Sequence, residues 1–557
     1  MELAESNKAA RSYPAVRNRS WRKLKSPDSW GISVGVFTAL ICLPIFAVLI
    51  HLTKEGPEWA HLVETVLPRY LINTAVLVVG VTAAALLMGV LPAWLVTVNN
   101  FPGRGLFCWM LILPLALPSY VAAFVFYQGP EAAIPLLIWI RTNISVDAFL
   151  KTELVIRYGL LILMMSAVLY PYIYLACRAA FSQQGRTLIE SARCLGDRPG
   201  AVFFRVAIPL ARPAMVAGSA LVIMEVINDY GAVHFFGVPT LTEGIFRTWF
   251  GMGDKVSALR LAGIVMLAVA ALLIVEQLLR GKARYVEAEG SSIPLVRKTL
   301  SGGRAAAAFL CCLIPLTIGF LYPVGRLVHW SWLNLTSDRG VSLTFGDSLV
   351  RGLVLAGATA LVVTLLASFF AFAVRLRENP VRKSCFRLST LGYATPGAVI
   401  AVGVLVVFGG LDRLEIRWIP LFSGSLFLIG FAYLVRFIAI PLQLSRAGMD
   451  RLGPSLGEAS RLLGWAPFTT FLRIDLPLLK GPLLAAAMLL FVDILKELPL
   501  TLILRPANFE TLATSAFSLA KEARLQACAV PSLMIVAAGA VGLLIMNRWL
   551  APTNSHE

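Results

Sequence analysis

Charge is what this chain has least of. Asp, Glu, Lys and Arg make up 14% of its 557 residues, where a soluble globular protein carries about 25%. Apolar residues make up 58%, and the mean hydropathy is +0.77. A soluble protein of this length cannot bury that much apolar surface, because burial saturates as domains grow. The shortage excludes a soluble multidomain enzyme, and also a disordered or collagen-like chain. Histidine is scarce, with five residues. No histidine cluster, metal-ligand spacing or nucleophile elbow is present, which argues against a membrane-embedded enzyme. The eight cysteines form no CxxC and no two-Cys, two-His zinc spacing. Most lie in or beside apolar runs and read as small buried hydrophobes. The chain also lacks a phosphate loop of the form Gly-x4-Gly-Lys-Ser/Thr. Gly281-Lys282 has neither the preceding glycine nor the hydroxyl residue. The chain is therefore not expected to hydrolyse ATP.

What is present is a succession of apolar runs. Crossing roughly 30 Å of hydrocarbon takes about 20 apolar residues. Candidate spans fall near 30–52, 71–98, 106–128, 155–177, 213–235 and 259–279, then near 305–330, 349–374, 387–409, 421–443, 482–504 and 527–549. The first run is too long for a signal-peptide core and reads as a retained span preceded by a basic tail. With the N-terminus inside, the inside segments hold about 31 of the 49 Lys and Arg residues. This positive-inside bias places both termini in the cytoplasm and accounts for most of the +18 net charge. No basic stretch is interleaved with stacking aromatics, so no nucleic-acid partner is expected.

The two sets of six spans are copies of one another. At an offset of 268, Arg178 maps to Arg446, Glu190 to Glu458, Arg193 to Arg461, Gly196 to Gly464 and Pro209 to Pro477. About 13 of the 33 positions from 178 to 210 are identical, where chance gives roughly two. Upstream the offset is 278, and Pro118 maps to Pro396. Six spans per half give both halves one orientation, so the pseudo-twofold lies along the membrane normal and encloses a central pathway. The expected architecture is an all-α polytopic membrane protein of about 12 transmembrane helices in two homologous halves. A basic tail (1–29) precedes the first half (30–285). A linker (286–304), the second half (305–550) and a short tail (551–557) follow.

The best-matched stretch between the copies is a cytoplasmic loop, at 185–212 and again at 453–480. It reads GluSerAlaArgCysLeuGly at 190–196 and GluAlaSerArgLeuLeuGly at 458–464, each leading to an aliphatic-x-aliphatic-Pro. The pattern predicts a short helix with Glu and Arg three residues apart on one face. A glycine free of the left-handed penalty ends it. Two such helices in symmetric positions suit a symmetric cytoplasmic partner. The pattern resembles the EAA motif of ABC importer permeases, although each copy keeps only one of the two usual alanines, Ala192 and Ala459. That resemblance implies the type I ABC importer permease fold in a bacterial inner membrane. It implies coupling through Glu190, Ala192, Arg193, Gly196 and Pro209, and through Glu458, Ala459, Arg461, Gly464 and Pro477. It further implies a homodimeric ABC ATPase that holds the ATP and Mg, no cofactor in this chain, and a periplasmic substrate-binding protein.

Charges inside a bilayer cost about 2.5–3.5 kcal/mol each at its centre, so they mark candidate sites. The fifth span carries Glu225, Asn228 and Asp229, and the eleventh carries Asp493, Lys496 and Glu497 at the matched positions. Spacings of three and four place each set on one helical face. Two readings stand together: a translocation pathway, or a structural network such as Lys496 paired with Asp493 or Glu497. Arg436 is a further intramembrane cation with no assigned partner. Carboxylates on a pathway suit a cation, and hard trivalent iron prefers oxygen ligands, but amines would be attracted as well. No metal ligand is assigned. Asn228-Asp-Tyr-Gly231 and Lys496-Glu-Leu-Pro-Leu-Thr501 resemble the ferric-iron branch of these permeases. Thiamine, polyamine and aminophosphonate importers share parts of the pattern. Arg247, Trp249, Asp254, Lys521 and Glu522, in the outer segments 237–257 and 505–526, are candidate contacts for the binding protein. A twelve-span secondary transporter is the rival reading, but it has no use for duplicated coupling loops.

Overall fold

The computed structural model describes residues 29–127, 134–194, 196, 198–280, 297–336, 344–377, 379–413, 424–453 and 455–550, with backbone alone for 183–194, 199, 280, 344–345, 461 and 546–550. The basic tail before Ser29, the tail after Leu550 and much of the linker lie outside these residues. Among the described residues, eight helices are long and apolar enough to cross a membrane unbroken. Four more candidates are bent pairs, so the spans number up to twelve.

Two of these bends share an identifiable cause. The third candidate of each half breaks by 87° between Arg104–Ala116 and Ser119–Tyr127, and by 113° between Pro380–Ala394 and Gly397–Asp412. Each break sits just before a matched proline, Pro118 or Pro396. Proline's ring disfavours helical geometry in the residue before it. Leu117 is accordingly extended at φ −91°, ψ 114°, and Thr395 at φ −84°, ψ 130°.

The fifth candidates differ from the single helices that hydropathy predicts. The first runs Ile208–Asn228, stops at an extended Asp229, and is followed by the short helix Gly231–Phe235. The second runs Lys480–Leu495 and resumes as Pro499–Leu504. The polar cluster thus sits at a chain break in both halves rather than along one continuous helical face. Bent or broken backbone of this kind is tolerated at membrane depth where protein buries it.

Helices Leu67–Val98, Val146–Cys194 and Ile208–Asn228 form the core of the first half, and Thr344–Arg375 packs on Lys480–Leu495 and Ala439–Leu452 in the second. Small residues let the backbones close up: a Cβ on Gly218 would lie 2.8 Å from the Ile173 Cα. The first span of each half crosses over. Ser29–Ile50 packs on Gly397–Asp412 of the second half, where a Cβ on Gly403 would lie 2.5 Å from the Pro44 carbonyl. Gly302–Leu316 and the turn after it pack on Leu67–Val98 and Val146–Cys194 of the first half. A two-residue parallel pairing, Asn99–Asn100 with Lys298–Thr299, ties the end of the linker to the loop after the second span.

Candidate functional site

The ends of the two fifth spans, at Asn228 and Leu495, and the chain breaks that follow them face each other. Between them lies a cavity of about 130 Å³ lined by Glu225, Asn228 and Asp229 from one half and by Asp493, Lys496 and Glu497 from the other. All six polar residues expected to face a pathway therefore line one space. Ser119, Tyr172, Tyr393 and Arg436 join them. Four carboxylates face two cations, a formal excess of two negative charges.

Each break is organised by a carboxylate. Asp229 accepts from the backbone N–H of Ala232 at 2.8 Å and of Val233 at 3.4 Å, and so caps Gly231–Phe235. Glu497, its counterpart at the offset of 268, accepts from the Leu500 N–H at 3.2 Å at the start of Pro499–Leu504. Side-chain acceptors satisfy the orphan donors of a helix start in this way. The remaining oxygen of each carboxylate is treated differently. Asp229 takes the hydroxyl of Ser119. Glu497 takes the Arg436 guanidinium, with Nε at 3.5 Å. The third-span position matching Ser119 is Gly397, and a Cβ there would lie 2.5 Å from Arg436 Nη1 and 2.7 Å from Glu497 Oε1. The position matching Arg436 is Val168, which also lines the cavity. One half thus holds its carboxylate with a hydroxyl, and the other with a cation admitted by a missing side chain.

Lys496 Nζ lies 2.9 Å from Asp493 Oδ1. The pairing of Lys496 with Asp493 expected as a structural network is formed, and it lies on the wall of this cavity. Among the described residues, three buried polar atoms on the cavity wall have no partner: Asn228 Oδ1, the Tyr120 hydroxyl and Arg436 Nη1. Neighbouring Tyr433 and Thr501 share a hydroxyl–hydroxyl bond of 2.6 Å, and the Thr501 hydroxyl also bonds to the Glu497 carbonyl.

The duplicated loops are less alike than their sequences. In the second, Ser455–Leu462 is a separate short helix between Gly453 at φ +69° and Gly464 at φ +77°. Glu458, Ala459 and Pro477 are exposed, and Ser460 is buried through a 2.6 Å bond to Thr470. Leu462 and Leu463 stand out at 89% and 74% exposure. In the first, the fourth-span helix runs unbroken to Cys194, so the expected separate short helix is not formed there. The sequences differ just past the matched glycines: Gly453, which turns the chain, precedes Pro454, and proline disfavours helical geometry in the residue before it, whereas Gly185, which stays helical, precedes Arg186. Gly196 then terminates the helix at φ +87°, as Gly464 does. Pro209 is exposed at the start of its helix. The side chains of Glu190, Ala192, Arg193 and Arg461 lie outside the described residues.

On the other side, Arg247, Lys521 and Glu522 are exposed, Trp249 is half-buried, and Lys255 sits over the Trp249 ring at 5.8 Å. Asp254 departs from the expectation of an outward contact. It is 8% exposed. Its carboxylate accepts from the Val256 and Ser257 N–H groups, the Ser257 hydroxyl at 2.6 Å and the Glu58 N–H at 3.1 Å. It caps the sixth span and fastens it to the segment after the first. Burial raises its pKa, but these hydrogen bonds outweigh that and hold the carboxyl below the usual aspartate range.

Sequence reasoning missed Ser119, Gly397, the partner of Arg436, and Tyr172 and Tyr393. A signal existed for two of these, since Ser119 and Gly397 each follow one of the matched prolines. The distance in sequence from Arg436 to Glu497 hides that pair.

A family model for the binding-protein-dependent transport system inner membrane component matches twice, over 84–280 and 347–555. The chain is 26% identical to the Fe(3+)-transport system permease protein FbpB 2 of Haemophilus influenzae, over 94% of this chain and 99% of that one. It is 25% identical to the sulfate transport system permease protein CysW of Escherichia coli, over 37% of this chain and 72% of the relative. It is also 25% identical to a spermidine/putrescine permease PotC homolog of Mycoplasma genitalium, over 37% of this chain and 71% of that one.

Proposed function

Because the chain belongs to the binding-protein-dependent transport system inner membrane components, as two permease units fused in one polypeptide, we propose that it imports ferric iron. It is a multi-pass membrane permease subunit of an ABC importer and not an enzyme; ATP hydrolysis resides on a separate chain, and a binding protein supplies the substrate. The observation that carries the iron reading is the end-to-end match to an Fe(3+)-transport permease. The sulfate and polyamine permeases match over about half that span or less.

In this reading the binding protein docks on the outer segments through Arg247, Trp249, Lys521 and Glu522. Asp254 acts beneath them as a brace. The ion passes the cavity between the broken spans. Both termini lie in the cytoplasm. A homodimeric ATPase receives one loop from each half, the second through the Ser455–Leu462 helix and the exposed Leu462 and Leu463. Closure of the ATPase pair moves the two fifth spans, because each loop leads directly into one.

The test is reconstitution. The permease with its ATPase in proteoliposomes should take up radio-iron when the binding protein and ATP are both supplied. Uptake that persists without any ATPase would overturn the importer reading. ATP-dependent uptake of sulfate or spermidine, with none of iron, would overturn the substrate.

A further inference from the structure

The cavity holds oxygen donors that the ion pairs leave unused. Tyr172 comes from the long helix Val146–Cys194 and Tyr393 from the helical turn Leu391–Ala394 of the other half. Both line the cavity beside Glu225 and Asp493. Each tyrosine lies within electrostatic reach of both carboxylates. Among the described residues no three His, Cys, Asp or Glu side chains group to hold a metal, so the carboxylates alone do not make a site. The tyrosines change the donor count. Neither is a product of the internal repeat: Ile440 stands opposite Tyr172 and Leu115 opposite Tyr393 at the matched offsets.

A second observation points to a missing ligand. Asn228 is 8% exposed and Tyr120 is 4% exposed, both line the cavity, and the side-chain oxygen of each has no hydrogen-bond partner among the described residues. A buried polar atom left unpaired costs about 1–3 kcal/mol. Oxygen donors without His or Cys suit a hard cation, and tyrosine oxygen is a known ligand of oxidised iron.

Lys496 stands among these groups. Its ammonium bonds to Asp493 at 2.9 Å and is drawn by Glu225 and Glu497 as well. We propose that Glu225, Asp493, Tyr172 and Tyr393 form a passing site for the ferric ion inside the permease, and that Lys496 is the tethered cation that fills it between passages. The proposal rests on the iron reading above. An entering ion takes the carboxylate oxygens and the phenolate oxygens of Tyr172 and Tyr393, as the two phenols give up their protons to solvent, and it turns the lysine aside; the phenols take protons back from solvent when it leaves. When the ion leaves, the lysine returns, which keeps the site from retaining its cargo.

The test uses the full permease–ATPase complex, with ferric nitrilotriacetate as the probe. Iron on tyrosine oxygen gives a visible charge-transfer band, which the wild-type complex should show and saturate. The double variant Tyr172→Phe, Tyr393→Phe should lose the band and lower ATP-dependent radio-iron uptake about tenfold. Lys496→Gln should move the opposite way and tighten iron binding about tenfold, equivalent to about 1.4 kcal/mol. Misfolding cannot produce that gain. A band that survives the double variant, or a Lys496→Gln complex that binds iron no more tightly, overturns the proposal. If the wild type imports iron but shows no band, this site falls and the iron reading stands. If it imports no iron at all, both fall.

Discussion

Ser119 and Gly397 occupy matched positions, one step past Pro118 and Pro396, and they give opposite answers to the same problem. Each faces a carboxylate that caps a broken span. Ser119 donates a hydroxyl to Asp229. Gly397 withdraws, and Arg436 fills the space to reach Glu497 at 3.5 Å.

That exchange predicts a compensating pair. Arg436→Val alone leaves Glu497 buried without its cation, and losing one partner of a buried pair costs about 3–5 kcal/mol. Gly397→Ser alone drives a side chain into the guanidinium and costs about 1–3 kcal/mol. The double variant recreates the Ser119 and Val168 arrangement of the first half. It should recover most of the loss. Thermal unfolding of the purified complex measures all three, and additive damage in the double variant would show that the halves do not obey one design.

Gly464 sits at φ +77°, and a Cβ there would meet nothing within 4 Å among the described residues of this chain, so backbone strain rather than packing within the chain sets the cost of its substitutions. A left-handed conformation costs an ordinary residue roughly 1–2 kcal/mol, and asparagine less. Gly464→Val should abolish most ATP-driven uptake, Gly464→Ala should lower it severalfold, and Gly464→Asn should keep the larger part. The matched series at Gly196 should rank alike. Transport assays at equal membrane abundance give the order.

Asp254 carries a pH signature. Its carboxyl is held below the ordinary aspartate range. Its stabilisation is therefore complete above the unfolded pKa of about 3.9 and fades as pH falls through the lower folded value. Between pH 5 and 8 this group should contribute no pH dependence. Asp254→Ala should cost about 0.5–2 kcal/mol, as lost caps do, and the gap from wild type should narrow only in acid. Melting curves taken from pH 7 to pH 3 follow it.

Gly231 is a point of contact between the halves. A Cβ there would meet the Tyr120 Cβ at 2.5 Å and Leu498 of the other half at 2.9 Å. Gly231→Val should wedge the two breaks apart and depress uptake at least as strongly as Gly231→Ala. Wild-type transport by both variants would mean that the breaks separate freely.

Hydropathy locates the spans because a bilayer demands length and little else. It does not locate the breaks. A window of about 19 residues averages over Pro118 and Pro396, and the apolar residues after Asp229 and Lys496 belong to a second helix as readily as to the first. The charged cluster is legible because the repeat doubles it. Its wiring is not, since Arg436 and Glu497 come from different spans. Asp254 shows the reverse error. An aspartate followed by Ser257 at the start of an apolar run is a helix-start signal, and reading its charge as a surface contact passes over that signal.

The crossed first spans bear on how the molecule is made. Ser29–Ile50 leaves the ribosome well before the second half, yet the Cys42 thiol finds the Leu388 carbonyl 346 residues later. Until the second half is inserted, this helix can rest only against its own half and lipid. Joining the halves in one polypeptide keeps the waiting helix within reach of its match throughout synthesis. Severing the chain in the linker would turn that tethered search into an encounter between two membrane fragments.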